Sequence, residues 1–211
     1  MVTVDGEVIE EPGFRVSDEQ KVELKPGATL APVVPVTILL HKPAGFDIEE
    51  NDEALTKLIT LENQAADDRS GIRFTKRHLK ELTLTDPLGI QSGGLLVLTQ
   101  DWRVARKLMT DAAKVEQEFI AEVTGDIAEG GLEKLNQGIS VKGILTPVKA
   151  SWQNETRLRF AVKGNQRNQI VRLCESVGLT VKALKRIRIG RLSMASLQPG
   201  QWRYLLGYER F

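Results

Sequence analysis

Apolar and polar positions along the chain recur with two periods, and the change of period divides it into elements. Residues 2–24, VTVDGEVIEEPGFRVSDEQKVEL, alternate every second position and turn at Asp5-Gly6, which predicts a small β-rich piece. KPGATLAPVVP follows with three prolines and reads as a linker. Val36 to Leu40 is a buried strand running into a Lys-Pro-Ala-Gly turn. NDEALTKLITL, residues 51–61, has helical spacing behind an Asn/Asp cap. NQAADDRSG is a polar loop, and the basic stretch from Arg73 to Lys80 has no clear period. GGLLVLTQD, residues 93–101, is an apolar strand entered through two glycines. DWRVARKLMTDAAK is an amphipathic helix capped by Asp101, with Val104, Leu108 and Ala112 on one face.

The second half mixes both periods. QEFIAEVTG, GILTPVKASWQ and TRLRFAVKG read as strands, and AEGGLEKLNQGI as a short helix ending at Gly138. NQRNQIVRLCESVGL is a helix with Ile170, Leu173, Cys174 and Val177 inward. VKALKRIRIGRLSM is a strand pair or hairpin, and LQPGQWRYL closes the chain. Strands interspersed with a few helices, without regular βαβ alternation, indicate an α+β fold.

Composition narrows the picture. The 211 residues are 41% hydrophobic, enough for one large domain or two small ones with real cores. No apolar run reaches the roughly 18 residues that span a bilayer. The polar, acidic start MVTVDGEVIEE is unlike a secretory signal. The single cysteine, Cys174, excludes an intrachain disulfide, and with these features suggests a cytoplasmic protein. His41 and His78 stand apart without cysteine partners, so no metal-site spacing is present. The net charge of +1 hides an asymmetry. Residues 1–70 hold 6 Lys+Arg against 15 Asp+Glu, whereas residues 157–191 hold 10 Lys+Arg against the single acid Glu175. Such a basic segment suits a polyanion partner, or is a solvated face.

Several segments, in order, resemble the bacterial ribosomal RNA pseudouridine synthases of the small-subunit type. LLHKPAG is similar to that family's first motif. GLLVLTQD matches the end of its catalytic motif, GRLDxxTxGLLLLTND. QEFIAEVTG stands where the family has a Lys-x-Tyr strand. RNQIVRLCESVGLTVKALKRIRIGRL followed by LQPGQWR is similar to NRQIRRM…VGxxVxxLxRxRIGxxxLxxLxxGxWR. The resemblance covers roughly residues 36–206 and implies the pseudouridine synthase fold: a mixed, mainly antiparallel sheet with flanking helices. Residues 1–25 resemble the second half of the small α-L RNA-binding domain that precedes it, without the usual two basic helices. The expected organisation is therefore a partial α-L domain at 1–25, a linker at 26–35 and a synthase-like domain at 36–211.

The resemblance also implies a chemistry: breaking a uridine's glycosidic bond and rejoining the base through carbon, with no metal or organic cofactor. A carboxylate does that work, and a neighbouring arginine keeps it ionised. A tyrosine stacks on the flipped base. Laid over this chain, the motif puts Gly89 at the aspartate, Leu88 at the preceding leucine and Ser92 at the threonine. Val171 falls at the arginine partner and Phe119 at the tyrosine, where it can stack but has no hydroxyl. The first reading is thus an RNA-binding protein with a dismantled catalytic site, acting on structured RNA, ribosomal by resemblance. The alternative is an active isomerase using a substitute carboxylate, of which Asp86 is the candidate, although a turn residue before Pro87 explains it too. A protein–protein scaffold is the third. Candidate RNA contacts are Lys42, Arg167, Arg172, Lys182, Lys185, Arg186, Arg188 and Arg191. Trp152 and Trp202 are expected in the core, Cys174 as a small buried apolar residue, and the histidines as structural or surface groups.

Overall fold

The computed structural model describes residues 2–9, 14–25, 34–48, 55, 57–141, 144–146, 148–164 and 168–211. The chain divides into two units, Met1–Val34 and Pro35–Phe211. In the first, β1 (Val2–Val4), β2 (Glu7–Ile9) and β3 (Val22–Leu24) form an antiparallel sheet in the order β2-β1-β3. Asp5 and Gly6 both have positive φ, 51° and 88°, the geometry of a tight hairpin turn, and the Asp5 carboxylate accepts from the Lys21 amide at 2.9 Å.

The second unit is built on one nine-stranded sheet. Its members are β4 (Thr37–Lys42), β5 (Thr83–Thr85), β6 (Ser92–Thr99), β7 (Glu116–Thr124), β10 (Val148–Asn154), β11 (Arg157–Lys163), β12 (Thr180–Ile189), β13 (Leu192–Ser193) and β14 (Trp202–Tyr204). The main path runs β10-β11-β7-β12-β6-β4-β14, with β13 on β12 and β5 on β6. Every pair is antiparallel except β12 with β6. A separate hairpin joins β8 (Ile139–Val141) to β9 (Ile144–Thr146), so GILTPVKASWQ spans two strands instead of one.

Strands β4 and β6 are buried on both faces, which explains their unbroken apolar runs. Ile38, Leu40, Leu96 and Leu98 enter one core with Phe119, Phe160 and Trp202, and Leu39, Leu95 and Val97 enter a second core on the opposite face. Helix α1 (Trp102–Met109) covers the second core with Val104 and Leu108. Its N-cap is Asp101, whose carboxylate accepts from the Arg103 amide at 2.8 Å. Helices α2 (Gly131–Gln137) and α3 (Gln169–Glu175) cover the first core. From α3 and the turn after it, Ile170, Leu173, Cys174 and Val177 point inward as expected, and burial pushes the Cys174 thiol up to about 11. Trp202 is in the core, but Trp152 keeps 37% of its surface exposed on β10. Of the helix expected over 51–61, Leu55, Lys57 and Leu58 are helical and Ile59, Thr60 and Leu61 are not; residues 51–54 and 56 lie outside the described residues. Among the described residues no helix is long and apolar enough to cross a membrane.

Candidate functional site

The chain between β5 and β6, residues 86–91, is pinned from three sides. Leu88 is buried in the first core. The Gly45 amide donates to the Ile90 carbonyl at 2.7 Å, and the Ser92 amide to the Gly89 carbonyl at 3.0 Å. Lys42, at the end of β4, is fully buried. Its ammonium donates to the carbonyls of Ser92 at 2.7 Å, Ile90 at 3.1 Å, Pro43 at 3.2 Å and Gly89 at 3.3 Å. Four carbonyls replace the water that a buried charge requires. Burial holds the lysine below its ordinary pKa, and Asp47 opposes that shift. The result is a fixed loop. Within it, a Cβ at Gly89 would meet no atom within 4 Å, so position 89 faces open space with no side chain.

The third pin is a carboxylate–guanidinium pair. Arg186 of β12 has no exposed surface. It donates from Nη1 to Asp86 Oδ2 at 2.8 Å and to Gln117 Oε1 at 3.3 Å, from Nη2 to the Asp86 carbonyl at 2.9 Å, and from Nε to the Leu95 carbonyl at 2.8 Å. The Gln117 amide also donates to Asp86 Oδ2. Burial works against the arginine's charge and lowers its pKa, and Asp86 opposes that shift. Gly94 makes the approach possible. It lies opposite Arg186 in the parallel β6–β12 pairing at φ 108°, and a Cβ there would stand 2.6 Å from the Arg186 amide nitrogen and overlap its carbonyl. Asp86 has φ 40°, in the left-handed region that aspartate tolerates better than most residues. Its side chain keeps 28% of its surface exposed. Chemically this is a partly accessible carboxylate paired with a desolvated cation.

No family model matches the chain. Among curated proteins, an uncharacterised RNA pseudouridine synthase of Aquifex aeolicus is 28% identical over 210 residues, covering 99% of this chain and 83% of that protein. Ribosomal large subunit pseudouridine synthase B of Bacillus subtilis is 27% identical, covering 99% of this chain and 83% of its own. Ribosomal small subunit pseudouridine synthase A of Vibrio cholerae is 24% identical, covering 99% and 86%. The chain is a homologue of the ribosomal pseudouridine synthases. A crystal structure of a pseudouridylate synthase superposes with a TM-score of 0.66 over 97% of this chain and 84% of that one, at 18% identity, a likeness of fold.

The synthase fold places the sequence-derived site residues in ways their spacing does not reveal. Phe119, expected to stack on a base, is fully buried in the first core, paired in register with Phe160 and Arg186, so it has no free face. Val171 is partly exposed on α3, and the guanidinium that meets the loop carboxylate comes instead from β12. Lys42 and Arg186, expected on an RNA-facing surface, are buried and committed to the loop. Arg188 is held by Glu116 at 2.6 Å and Glu118 at 2.7 Å. Arg172, Lys182 and Arg191 are exposed and Lys185 is half-buried. Arg167 lies outside the described residues.

Gln117 is absent from the sequence-derived set, yet a signal for it exists. On β7 the inward positions are Gln117, Phe119, Ala121 and Val123, and a lone polar residue in such a series needs a buried partner. The basic segment also changes meaning. Of its ten cations, Arg157 pairs with Glu122, Arg159 with Glu118, Arg186 with Asp86 and Arg188 with Glu116 and Glu118. These acids lie outside 157–191, on β7 and the loop, so part of the apparent surplus is paired across the sheet.

Proposed function

We propose that this protein is an RNA-binding member of the synthase fold, directed at structured ribosomal RNA, in which the uridine-isomerising step has been lost. The observation that carries the proposal is the loop at residues 86–92. It is fully braced, Leu88 is seated in the core, and the next position, Gly89, opens to free space without a carboxylate. The resemblance gives that position to the reacting aspartate. RNA as the partner is supported by the relatives' names and by the exposed Arg172, Lys182 and Arg191. Cations on a surface bind the phosphate backbone, so binding should be tight at low salt and weaken steeply as salt rises. Titration of ribosomal RNA fragments at roughly 50 mM salt, repeated at higher salt, tests this. Flat curves at the lower salt would contradict it.

A second reading has its own observation. The Asp86 carboxylate is paired with a desolvated guanidinium and remains partly exposed, the electrostatic arrangement a carboxylate nucleophile needs. In that reading Asp86 does the covalent or proton-transfer work from three residues upstream. The first reading is preferred because Arg186 and Gln117 both converge on Oδ2 while Arg186 also holds the Asp86 carbonyl, which makes the pair a clamp of the loop onto the sheet. Asp86→Asn, which should leave RNA affinity within about twofold, separates the two readings when its isomerase activity is compared with that of the wild type.

A further inference from the structure

The opposite face of the sheet carries an exposed feature that the loop does not use. At the start of α1, Trp102 keeps 65% of its surface exposed, and the guanidinium carbon of Arg103 lies 5.8 Å from its ring centroid. Beside it runs an open groove of about 590 Å³ between α1, the 3-10 turn Ala112–Lys114 and the turn after β12 at Gly190-Arg191. Its walls carry the cations Arg103, Arg106, Lys107, Lys114 and Arg191, all exposed. Two side-chain carboxylates also line it, together with Phe211. Asp111 is taken up by Lys114 at 3.0 Å, and Glu116 by Arg188 at 2.6 Å. Arg103, Arg106, Lys107 and Arg191 therefore dominate the charge that the groove presents.

We propose that this groove is a second RNA-contacting surface, one that takes a single-stranded segment with phosphates on Arg106, Lys107 and Arg191 and a base on the Trp102 indole. The inference rests on the RNA-binding reading above and extends it to a face that the catalytic resemblance does not involve. Clustered cations alone would suit any polyanion. The exposed indole among them selects a ligand with both phosphates and flat unpaired bases, because base–aromatic stacking adds to phosphate contacts along a single strand. The Arg103 guanidinium near the ring centroid adds a cation–π contact that favours a fixed orientation of the indole.

The test uses the full chain with ribosomal RNA fragments and a short oligouridine containing 4-thiouridine. Cross-links should map to the peptide holding Trp102. Trp102→Ala should weaken oligouridine binding by about 5- to 100-fold. Arg103→Glu with Arg106→Glu and Lys107→Glu should weaken it further and reduce the slope of log affinity against log salt by about 2. All these side chains are exposed, so an unchanged circular dichroism spectrum and melting midpoint establish that the variants fold. If the wild type binds RNA and both variants bind within about twofold of it, the groove proposal is overturned while the RNA reading stands. If the wild type binds no RNA, the underlying reading fails first. If the triple variant instead changes the sedimentation of the free protein, the groove is an interface between copies and the proposal is overturned.

Discussion

A guanidinium with no exposed surface makes a strict demand on its surroundings. Arg186 has only Asp86, Gln117 and two carbonyls to replace water. The two halves of the pair should therefore respond unequally. Asp86→Ala leaves a buried charge without its counter-ion and should cost about 3–5 kcal/mol. Arg186→Met fills the space with an apolar chain and leaves a carboxylate that can hydrate, so it should cost less. Urea unfolding of the two variants measures the order, and a reversed order would mean that the pair does not hold the loop. At this scale the sequence is only partly legible. Asp86 stands out in the loop, but its partner does not, because β12 carries register irregularities between Val181 and Ala183 and between Arg186 and Arg188. The second one puts Arg186 opposite Phe119 and Arg188 opposite Glu118, on different faces, although they are two residues apart. Strict alternation assigns both to one surface and so misreads Arg186 as a phosphate contact.

At the scale of elements, β7 is the strand that neutralises its neighbours. Its inward side supplies Gln117 and Phe119, and its other side supplies Glu116, Glu118 and Glu122 to arginines of β11 and β12. Glu118, at 13% exposure, serves both Arg159 and Arg188, whereas Glu122 is 46% exposed and serves Arg157. Glu118→Gln should cost about 1–3 kcal/mol, since bonds from two charged donors are weakened. Glu122→Gln should cost less than about 1 kcal/mol, as a solvent-screened pair. The hydrogen bond from Arg188 holds Glu118 below its ordinary pKa of 4.5. Its stabilisation is then complete above the unfolded value and is lost as pH falls through the lower folded one. Urea midpoints followed downward from pH 4.5 should fall in the wild type and fall less steeply in Glu118→Gln. None of this shows in the charge count, because the acids and bases that meet across the sheet are far apart in sequence. The strands themselves are readable from their period, and the inward set on α3 follows from 3.6-residue spacing. The split of residues 139–154 into a hairpin and a separate strand is not readable, since the same interleaving of apolar and polar positions fits one strand or several.

For the whole molecule, the α+β architecture follows from the mixed periods, and the doubly buried β4 and β6 announce a central position through their unbroken apolar runs. The residues that decide function are less legible, because they depend on which of two cores a side chain enters. Both histidines lie inside the larger unit. Burial lowers His41, whose ring nitrogen Nδ1 lies 2.7 Å from the Leu197 carbonyl, and burial lowers His78, 2.6 Å from the Tyr204 hydroxyl. Groups lowered from 6.5 give stability that is full above that value, so the folded state should lose stability as pH falls below about 6.5. Replacing both histidines with glutamine should remove most of that decline in a urea-midpoint series.

The braced loop with nothing at position 89 is the centre of the account, and tritium release from 5-tritiated uridine in ribosomal RNA addresses it most directly. The wild-type protein should bind the RNA and release no tritium above background, as should Asp86→Asn. Release by the wild type that Asp86→Asn abolishes would contradict the account and transfer the chemistry to the Asp86–Arg186 pair.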